Sequence, residues 1–261
     1  MDLDIFQVDA FAEQVFKGNP AAVCPLDMWI ADEILQNIAQ ANNLSETAFF
    51  VPYQNNFQLR WFTPSHEVDL YGHATLADAH VLFTHLGYEK PEICFNTKSG
   101  DLLVTKKSNG LEMDFPASLP KPVIAPGNLL LGLGGEIKPK AISAAFDYII
   151  ELDDEAAVKT LLPNFELWKT IDLRGVVVTA AGSDVDFVSR CFFPKLDVNE
   201  DPVTGSAHCE LTPYWSKKLN KKRLKAKQLS PRTGEVKCQL IGNRVLLNGR
   251  VVDYMHGKIS F

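Results

Sequence analysis

Two short stretches of the chain combine a glycine with residues that can hold an anion. Residues 69–74 (DLYGHA) and 201–207 (DPVTGSA) each place an aspartate a few positions before a glycine, and an apolar helical pattern follows each glycine. A helix that begins at Gly72 or Gly205 would leave backbone N–H groups free and carry partial positive charge at that end, so it could hold a carboxylate. The two turns together predict one anion-binding cleft.

A third stretch offers a group that can move a proton. Residues 44–51 (LSETAFFV) place Glu46 at the head of a run of alanine, phenylalanine and valine, which is typical of a strand. A carboxylate in that position risks partial burial, which favours its protonated form and suits it to proton transfer. The alternative is an exposed glutamate at a strand end.

The chain also repeats itself. Three pairs of blocks recur in the same order about 130 residues apart: 60–64 with 190–194, 95–102 with 229–236, and 111–113 with 245–247. Such order and spacing indicate two copies of one unit. The pattern of each copy predicts a strand, a helix, two strands, the glycine turn, an apolar helix and two more strands, which is an α+β plan.

The repeat predicts how the chain divides. We expect a first unit at residues 1–116, completed by a C-terminal strand at 250–261, and a second unit at 117–249. The proline-rich stretch 115–126 is the expected linker. Two similar units would place the glycine turns opposite each other across a cleft, a usual place for a ligand site.

Composition limits the class of protein. The 261 residues carry a formal net charge of −6, which argues against a general nucleic-acid binder. The five cysteines are an odd number without a C-x-x-C pair, as in a reduced cytosolic protein. The N-terminal residues lack the pattern of a signal peptide, and no apolar run approaches the roughly 20 residues of a membrane span. We therefore expect a soluble cytoplasmic protein that binds neither nucleic acid nor membrane.

No local motif indicates a metal or a dinucleotide. His66, His80, His85 and His256 show no spacing such as H-E-x-x-H. The glycine-rich run 132–135 lacks the spacing and the preceding strand of a dinucleotide fingerprint. We expect no metal site and no cofactor.

Taken together, the motifs resemble one known family along essentially the whole chain. The blocks that carry the resemblance are 16–23 (FKGNPAAV), 44–49 (LSETAF), 60–64 (RWFTP), 72–75 (GHAT) and 201–208 (DPVTGSAH). They are similar to the PhzF-like isomerases of phenazine biosynthesis. The resemblance implies a diaminopimelate-epimerase-like fold with two pseudo-symmetric lobes, each a β-barrel-like sheet around a central helix. It also implies an active site between the lobes, a homodimer and no cofactor.

The resemblance also implies roles for individual residues. A glutamate that matches Glu46 moves a proton between carbons of a small unsaturated amino acid in characterised relatives. Catalysis and substrate binding are implied for seven residues in all: Glu46, His73 and Asp201 as catalytic residues, and Ser45, Gly72, Gly205 and Ser206 as substrate-binding residues. His73 could instead only pack at the helix start, and Asp201 and Ser206 are also good helix N-caps.

One departure separates the chain from related racemases. Diaminopimelate epimerases and proline racemases, which resemble this fold, use two cysteines, one directly before each glycine turn. Here those positions hold Tyr71 and Thr204, and neither side chain can replace a thiolate at neutral pH. Tyr71 is also bulkier than the cysteine that many PhzF-like proteins keep there, so it is expected to reshape the pocket.

The expected function is a cofactor-independent isomerase that moves a proton between carbons of a small unsaturated carboxylic acid, with Glu46 as general acid and base. Two alternatives stay open. One is a racemase or epimerase with a single base that works through a water or through His73. The other is a non-catalytic protein that binds a metabolite, because fold and pocket alone do not fix function.

Overall fold

The computed structural model describes residues 2–68, 72–134 and 137–261. Its internal contacts divide the chain into two compact units. Unit 1 contains Met1–Asp114 and Asn248–Phe261, and unit 2 contains Phe115–Leu247. Each boundary lies two residues before the one expected from the sequence.

The first part of the chain, through residue 116, alternates strands with two helices. Its elements are β1 (Asp2–Ala10), β2 (Asn19–Pro25), α1 (Asp32–Asn42), β3 (Glu46–Tyr53), β4 (Asn56–Phe62), β5 (Glu67–Val68), α2 (Gly72–Thr84), β6 (Glu92–Thr97), β7 (Gly100–Lys107) and β8 (Gly110–Pro116). The strand, helix, strand, strand order expected from the sequence is confirmed here, and α2 follows the first glycine turn.

The second part has the same alternation with more short helices. Its elements are β9 (Lys121–Pro122), α3 (Gly127–Gly132), β10 (Ala141–Ala144), β11 (Tyr148–Glu151), α4 (Glu155–Thr160), α5 (Phe165–Trp168), β12 (Val176–Ala181), β13 (Phe187–Phe193), a 3₁₀ turn (Pro194–Leu196), β14 (Val198–Asp201), α6 (Gly205–Leu219), β15 (Arg223–Gln228), β16 (Gly234–Ile241), β17 (Arg244–Gly249) and β18 (Val251–Ser260). Helix α6 follows the second glycine turn.

The order of strand pairing in unit 1 returns in unit 2. In unit 1, β2 and β3 are parallel, β3–β4 and β4–β5 are antiparallel, β4 and β6 are parallel, and β6–β7 are antiparallel. In unit 2, β11 and β12 are parallel, β12–β13 and β13–β14 are antiparallel, β13 and β15 are parallel, and β15–β16 are antiparallel. The sequence blocks and the strand pairing therefore repeat together, whereas the closure of each sheet into a barrel stays a prediction.

An arginine in each copy explains why one of the blocks repeats. Arg60 donates through Nε and Nη2 to the carboxylate of Glu67 at 2.7 and 3.0 Å, and Arg190 donates in the same way to Glu200 at 2.7 and 2.9 Å. Each guanidinium also lies over the phenyl ring two residues further along its strand, at 5.1 and 4.9 Å. These two-pronged contacts tie β4 to β5 and β13 to β14, the strands that lead into the glycine turns.

The helices that follow the glycine turns are buried on nearly every face. In α2, ten of 13 residues are buried, and the helix packs against β1, β2 and β3. In α6, ten of 15 residues are buried, and the helix packs against β15 and β16. A helix that is buried on nearly every face belongs inside a protein core, so both helices are fixed in place by their surroundings.

The stretch 115–126, expected to be the linker, begins directly after the boundary at Asp114 and is bonded to unit 2. Lys121–Pro122 pairs with β10, and Ser118 N–H donates to the carbonyl of Cys209 in α6 at 3.1 Å. That carbonyl is available because Pro213, four residues later in the helix, has no N–H to offer it. Proline indicates a break in regular structure but does not show which groups the broken segment bonds to.

No helix within the described residues combines the length and apolar character that crossing a lipid bilayer requires.

Candidate active site

The structure brings Glu46 and His73 into direct contact inside unit 1. The Nε2 atom of His73 lies 2.6 Å from Oε2 of Glu46, and the two side chains are only 2% and 3% exposed. Glu46 is the first residue of β3 and lies opposite Ala21 in the parallel pair with β2, whereas His73 is the second residue of α2. Sequence reasoning named both residues, and the structure places them as one buried acid–base pair.

Local structure explains how Glu46 comes to begin its strand. Helix α1 buries Leu35, Ile38 and Ala39 and ends at Asn42, and the capping residue Asn43 has a left-handed φ of 49°. Asparagine tolerates this conformation, and its N–H closes the last turn on the carbonyl of Ala39. The chain then reverses through Leu44 and Ser45 into β3, so the buried end of the strand carries the carboxylate.

Asn19, which lies in the family block 16–23 but was given no role from the sequence, completes the pair. It is buried, and its Nδ2 lies 3.2 Å from Nδ1 of His73. Gly18, directly before it, has a φ of 66°, and a Cβ there would lie 2.1 Å from the carbonyl oxygen of Ala10. Only glycine fits this close approach, so the turn that aims Asn19 at His73 depends on Gly18.

The contact with Asn19 assigns the tautomer of His73. If the Asn19 amide donates, Nδ1 of the ring is the acceptor, and a neutral imidazole then carries its proton on Nε2. Nε2 is the ring nitrogen that lies 2.6 Å from Oε2 of Glu46. His73 also lies in the first turn of α2, where the helix dipole stabilises negative charge and disfavours an imidazolium. The arrangement therefore joins a carboxyl group and an imidazole in one buried pair, the two groups that most often transfer protons in enzymes.

The other predicted residues of unit 1 are close to this pair along the chain. Gly72 is partly buried and begins α2, so the helix N-terminus expected from the sequence is confirmed. Ser45 is partly exposed and directly precedes Glu46. Tyr71, whose bulk was expected to reshape the pocket, lies outside the described residues.

In unit 2, the side chain of Asp201 braces the second glycine turn. Oδ2 of Asp201 accepts a hydrogen bond from Oγ1 of Thr204, the residue before α6. Gln228 closes the same turn, because its Nε2 donates to the Asp201 carbonyl at 2.7 Å and its Oε1 accepts from the Thr204 N–H at 2.9 Å. These bonds account for Asp201 as a structural residue, and its predicted role in catalysis stays a prediction.

Ser206 is held by an arginine that sequence reasoning did not identify. Nη2 of Arg174 donates to Oγ of Ser206 at 3.0 Å, while Nε and Nη2 of Arg174 hold the buried carboxylate of Asp147 at 3.0 and 2.6 Å. Gly205 is buried and begins α6, as expected. The second glycine turn therefore has a paired arginine and aspartate beside it.

A buried acid lies in the same helix. Glu210 is buried in α6, and its Oε1 accepts the N–H of Phe146 at 2.6 Å. Burial, aided by the negative charge of Asp147, raises the pKa of Glu210 to about 8. Its charge therefore changes close to neutral pH.

The cysteines do not offer a pair of thiolates. Cys24, Cys191, Cys209 and Cys238 are buried, and Cys94 is partly buried. Burial raises the pKa of Cys191 and Cys209 well above the usual range, and that of Cys238 to about 12. These thiols stay protonated at neutral pH, so they cannot replace the two cysteines of the racemases.

Known proteins match the chain along its length. A family model described as phenazine biosynthesis-like protein matches residues 8–257. An uncharacterised isomerase of Pseudomonas aeruginosa is 51% identical over 259 residues, and the match covers 99% of each chain. A solved structure of a PhzF-family phenazine biosynthesis protein from Enterococcus faecalis is 46% identical with a TM-score of 0.97 and covers 100% of each chain.

A more distant structure shares only the fold. A hydroxyproline epimerase from Agrobacterium vitis is 10% identical with a TM-score of 0.62, covering 99% of this chain and 92% of that one. The mixed fold of the epimerase type that the motifs implied is therefore confirmed. With a family model that matches nearly its whole length, the chain belongs to the phenazine biosynthesis-like (PhzC-PhzF) family.

Proposed function

We propose that this protein is a cofactor-independent isomerase that moves a proton between carbons of a small unsaturated carboxylic acid. Glu46 removes the proton at one carbon and returns it at another. The observation that carries this proposal is the 2.6 Å contact between the buried Glu46 and His73. A paired, buried carboxylate is a suitable general base, because it is fixed in place and shielded from water.

His73 and Asn19 keep the base in its working state. The Nε2 proton of His73 stabilises the Glu46 carboxylate before the reaction, and Asn19 holds the ring in the tautomer that supplies this proton. When Glu46 takes a proton from carbon, the contact with His73 loosens, and Glu46 can deliver the proton to the second carbon. Acid and base roles thus alternate on one carboxyl group.

The substrate carboxylate is proposed to bind at helix N-termini. Gly72 begins α2 and directly precedes His73, and a helix start carries N–H groups suited to an anion. Gly205, Ser206 and Asp201 are kept as proposed substrate-binding or catalytic residues because of the motif they share with the family. The names of the relatives, which are uncharacterised isomerases, support the reaction class but not a substrate.

The experiment is deuterium exchange from heavy water into a panel of small unsaturated and amino-substituted carboxylic acids. The native protein is compared with Glu46→Gln, and with Glu166→Gln as a matched control at an exposed helical position. We expect exchange in the native protein and in the control, with a loss of about 100-fold or more in Glu46→Gln. NMR of the product should show deuterium at a new carbon and a moved double bond.

Three results would contradict the proposal. Exchange that persists in Glu46→Gln would remove Glu46 from the reaction. Inversion at the α-carbon without a moved double bond would indicate an epimerase. A folded native protein that binds compounds of the panel but exchanges none of their protons would indicate a binding protein.

A further inference from the structure

A second group of ionisable side chains lies in unit 1 at the other end of α2 from His73. Nε2 of His80 and Nε2 of His85 each lie 2.9 Å from the same oxygen, Oδ1 of Asp253. We call His80, His85 and Asp253 the His–His–Asp cluster. Its three ligand atoms all lie within 4.8 Å of one another, and its residues are partly exposed, at 16%, 26% and 48%.

An irregularity in β18 turns Asp253 toward the two histidines. In the antiparallel pair with β1, Gln7 lies opposite Met255 and Val8 lies opposite Asp253, so Tyr254 is an extra residue on β18. Such a bulge re-aims the side chains next to it, and Asp253 is the residue directly before the extra one. The result is that Asp253 meets α2, which packs against β18.

Two of the three ligands, His80 and His85, come from the last turns of α2. His80 lies within α2, and the N–H of His85 donates to the carbonyl of Val81 at 2.9 Å, which continues the helical turn one residue past Thr84. Histidines five positions apart do not normally share one face of a helix, which is why their spacing gave no metal motif. Because the helical turn continues to His85 and β18 supplies a carboxylate, both Nε2 atoms lie 2.9 Å from the same oxygen of Asp253.

The geometry matches the coordination shell of a small divalent ion after a slight expansion. Bonds of about 2.0–2.1 Å in a tetrahedral site place the ligand atoms roughly 3.3–3.4 Å apart. The two contacts of 2.9 Å would therefore open by about half an ångström as the metal replaces the shared protons. Two imidazole nitrogens with one carboxylate oxygen form a donor set that suits zinc and its neighbours rather than magnesium.

We propose that the His–His–Asp cluster is a binding site for a divalent transition-metal ion of the zinc class, with solvent as the remaining ligand. Bound metal would join the end of α2 to β18. His256 lies outside the cluster, and its Nε2 is 3.7 Å from Asp4 instead. The alternative is that the Asp253 carboxylate only accepts hydrogen bonds from His80 and His85.

The test is calorimetric titration of the full chain with zinc chloride after removal of metal with a chelator. The native protein and His66→Gln should each bind one zinc ion per chain, because His66 is an exposed histidine that bonds to Ser65 and lies outside the cluster. His85→Gln and Asp253→Asn should each weaken binding by about tenfold or more. Magnesium chloride should give no comparable binding.

A second readout protects the test against variants that fold poorly. Zinc should raise the unfolding temperature of the native protein and of His66→Gln, but not that of His85→Gln, since a ligand stabilises only the state that binds it. Circular dichroism checks that each variant is folded. The absence of zinc binding by the native protein, or equal binding by native protein and folded His85→Gln, would overturn the proposal.

Discussion

The buried contact between Glu46 and His73 predicts a strong energetic coupling between the two residues. His73→Ala leaves a carboxylate buried without the partner that now lies 2.6 Å away, and breaking a buried pair in this way costs about 3–5 kcal/mol. Glu46→Ala leaves an imidazole that can stay neutral beside Asn19, so it should cost less. The double variant has neither unpaired group and should be less destabilised than the sum of the single variants.

We expect a coupling energy of about 2 kcal/mol or more, in the range of hydrogen bonds to charged groups. The measurement is urea unfolding of the native protein, both single variants and the double variant at one pH. Glu166 and Lys169, an exposed ion pair at 3.0 Å, provide the control cycle, with an expected coupling below about 0.5 kcal/mol. A coupling for Glu46 and His73 no larger than that of the control would refute the buried pair, whatever the enzyme assay shows.

Three further predictions concern stability. Gly18→Ala should destabilise by about 2 kcal/mol or more in urea unfolding, because Cβ would collide with the Ala10 carbonyl at a left-handed φ; an unchanged midpoint would show a different turn. Arg190→Lys should cost about 1–3 kcal/mol by the same measurement, since lysine cannot hold Glu200 through two parallel bonds, and a neutral effect would contradict that contact. The pKa of Glu210 is raised to about 8 in the folded protein, so the free energy of unfolding should fall as pH rises from about 4.5 to 8. In Glu210→Gln this loss of unfolding free energy should be smaller by at least about 1 kcal/mol. An equal loss in the native protein and the variant would refute the prediction.

Features set by neighbouring residues could be predicted from the sequence. The helix starts at Gly72 and Gly205 and the place of Glu46 at the start of a buried strand all depend on local pattern, and the structure contains each of them. The repeated RWFTP and RCFFP blocks also share a structural role, because the arginine of each block holds a glutamate on the next strand. Patterns of this kind report which residues are buried and where elements begin.

Features set by distant partners could not be predicted. Asn19 meets His73 across 54 residues, and Arg174 meets Ser206 across 32, so no local spacing links them. The expectation of no metal site considered only the spacing of histidines along the chain, whereas Asp253 lies 173 residues after His80. The homodimer implied by the resemblance and the cytoplasmic location expected from composition stay predictions.

The pairing of β18 with β1 has a consequence for how the protein is made. β18 follows unit 2 in the chain but lies alongside the whole of β1, at the start of unit 1. On a ribosome that adds 5–20 residues per second, translating residues 115–247 takes roughly 7–27 s. During that delay β1 has an unpaired edge, which is a site for aggregation, while unit 2 emerges as one uninterrupted segment. Unit 1 is thus begun first but completed last. A chaperone that shields β1 during translation would raise the yield of folded protein.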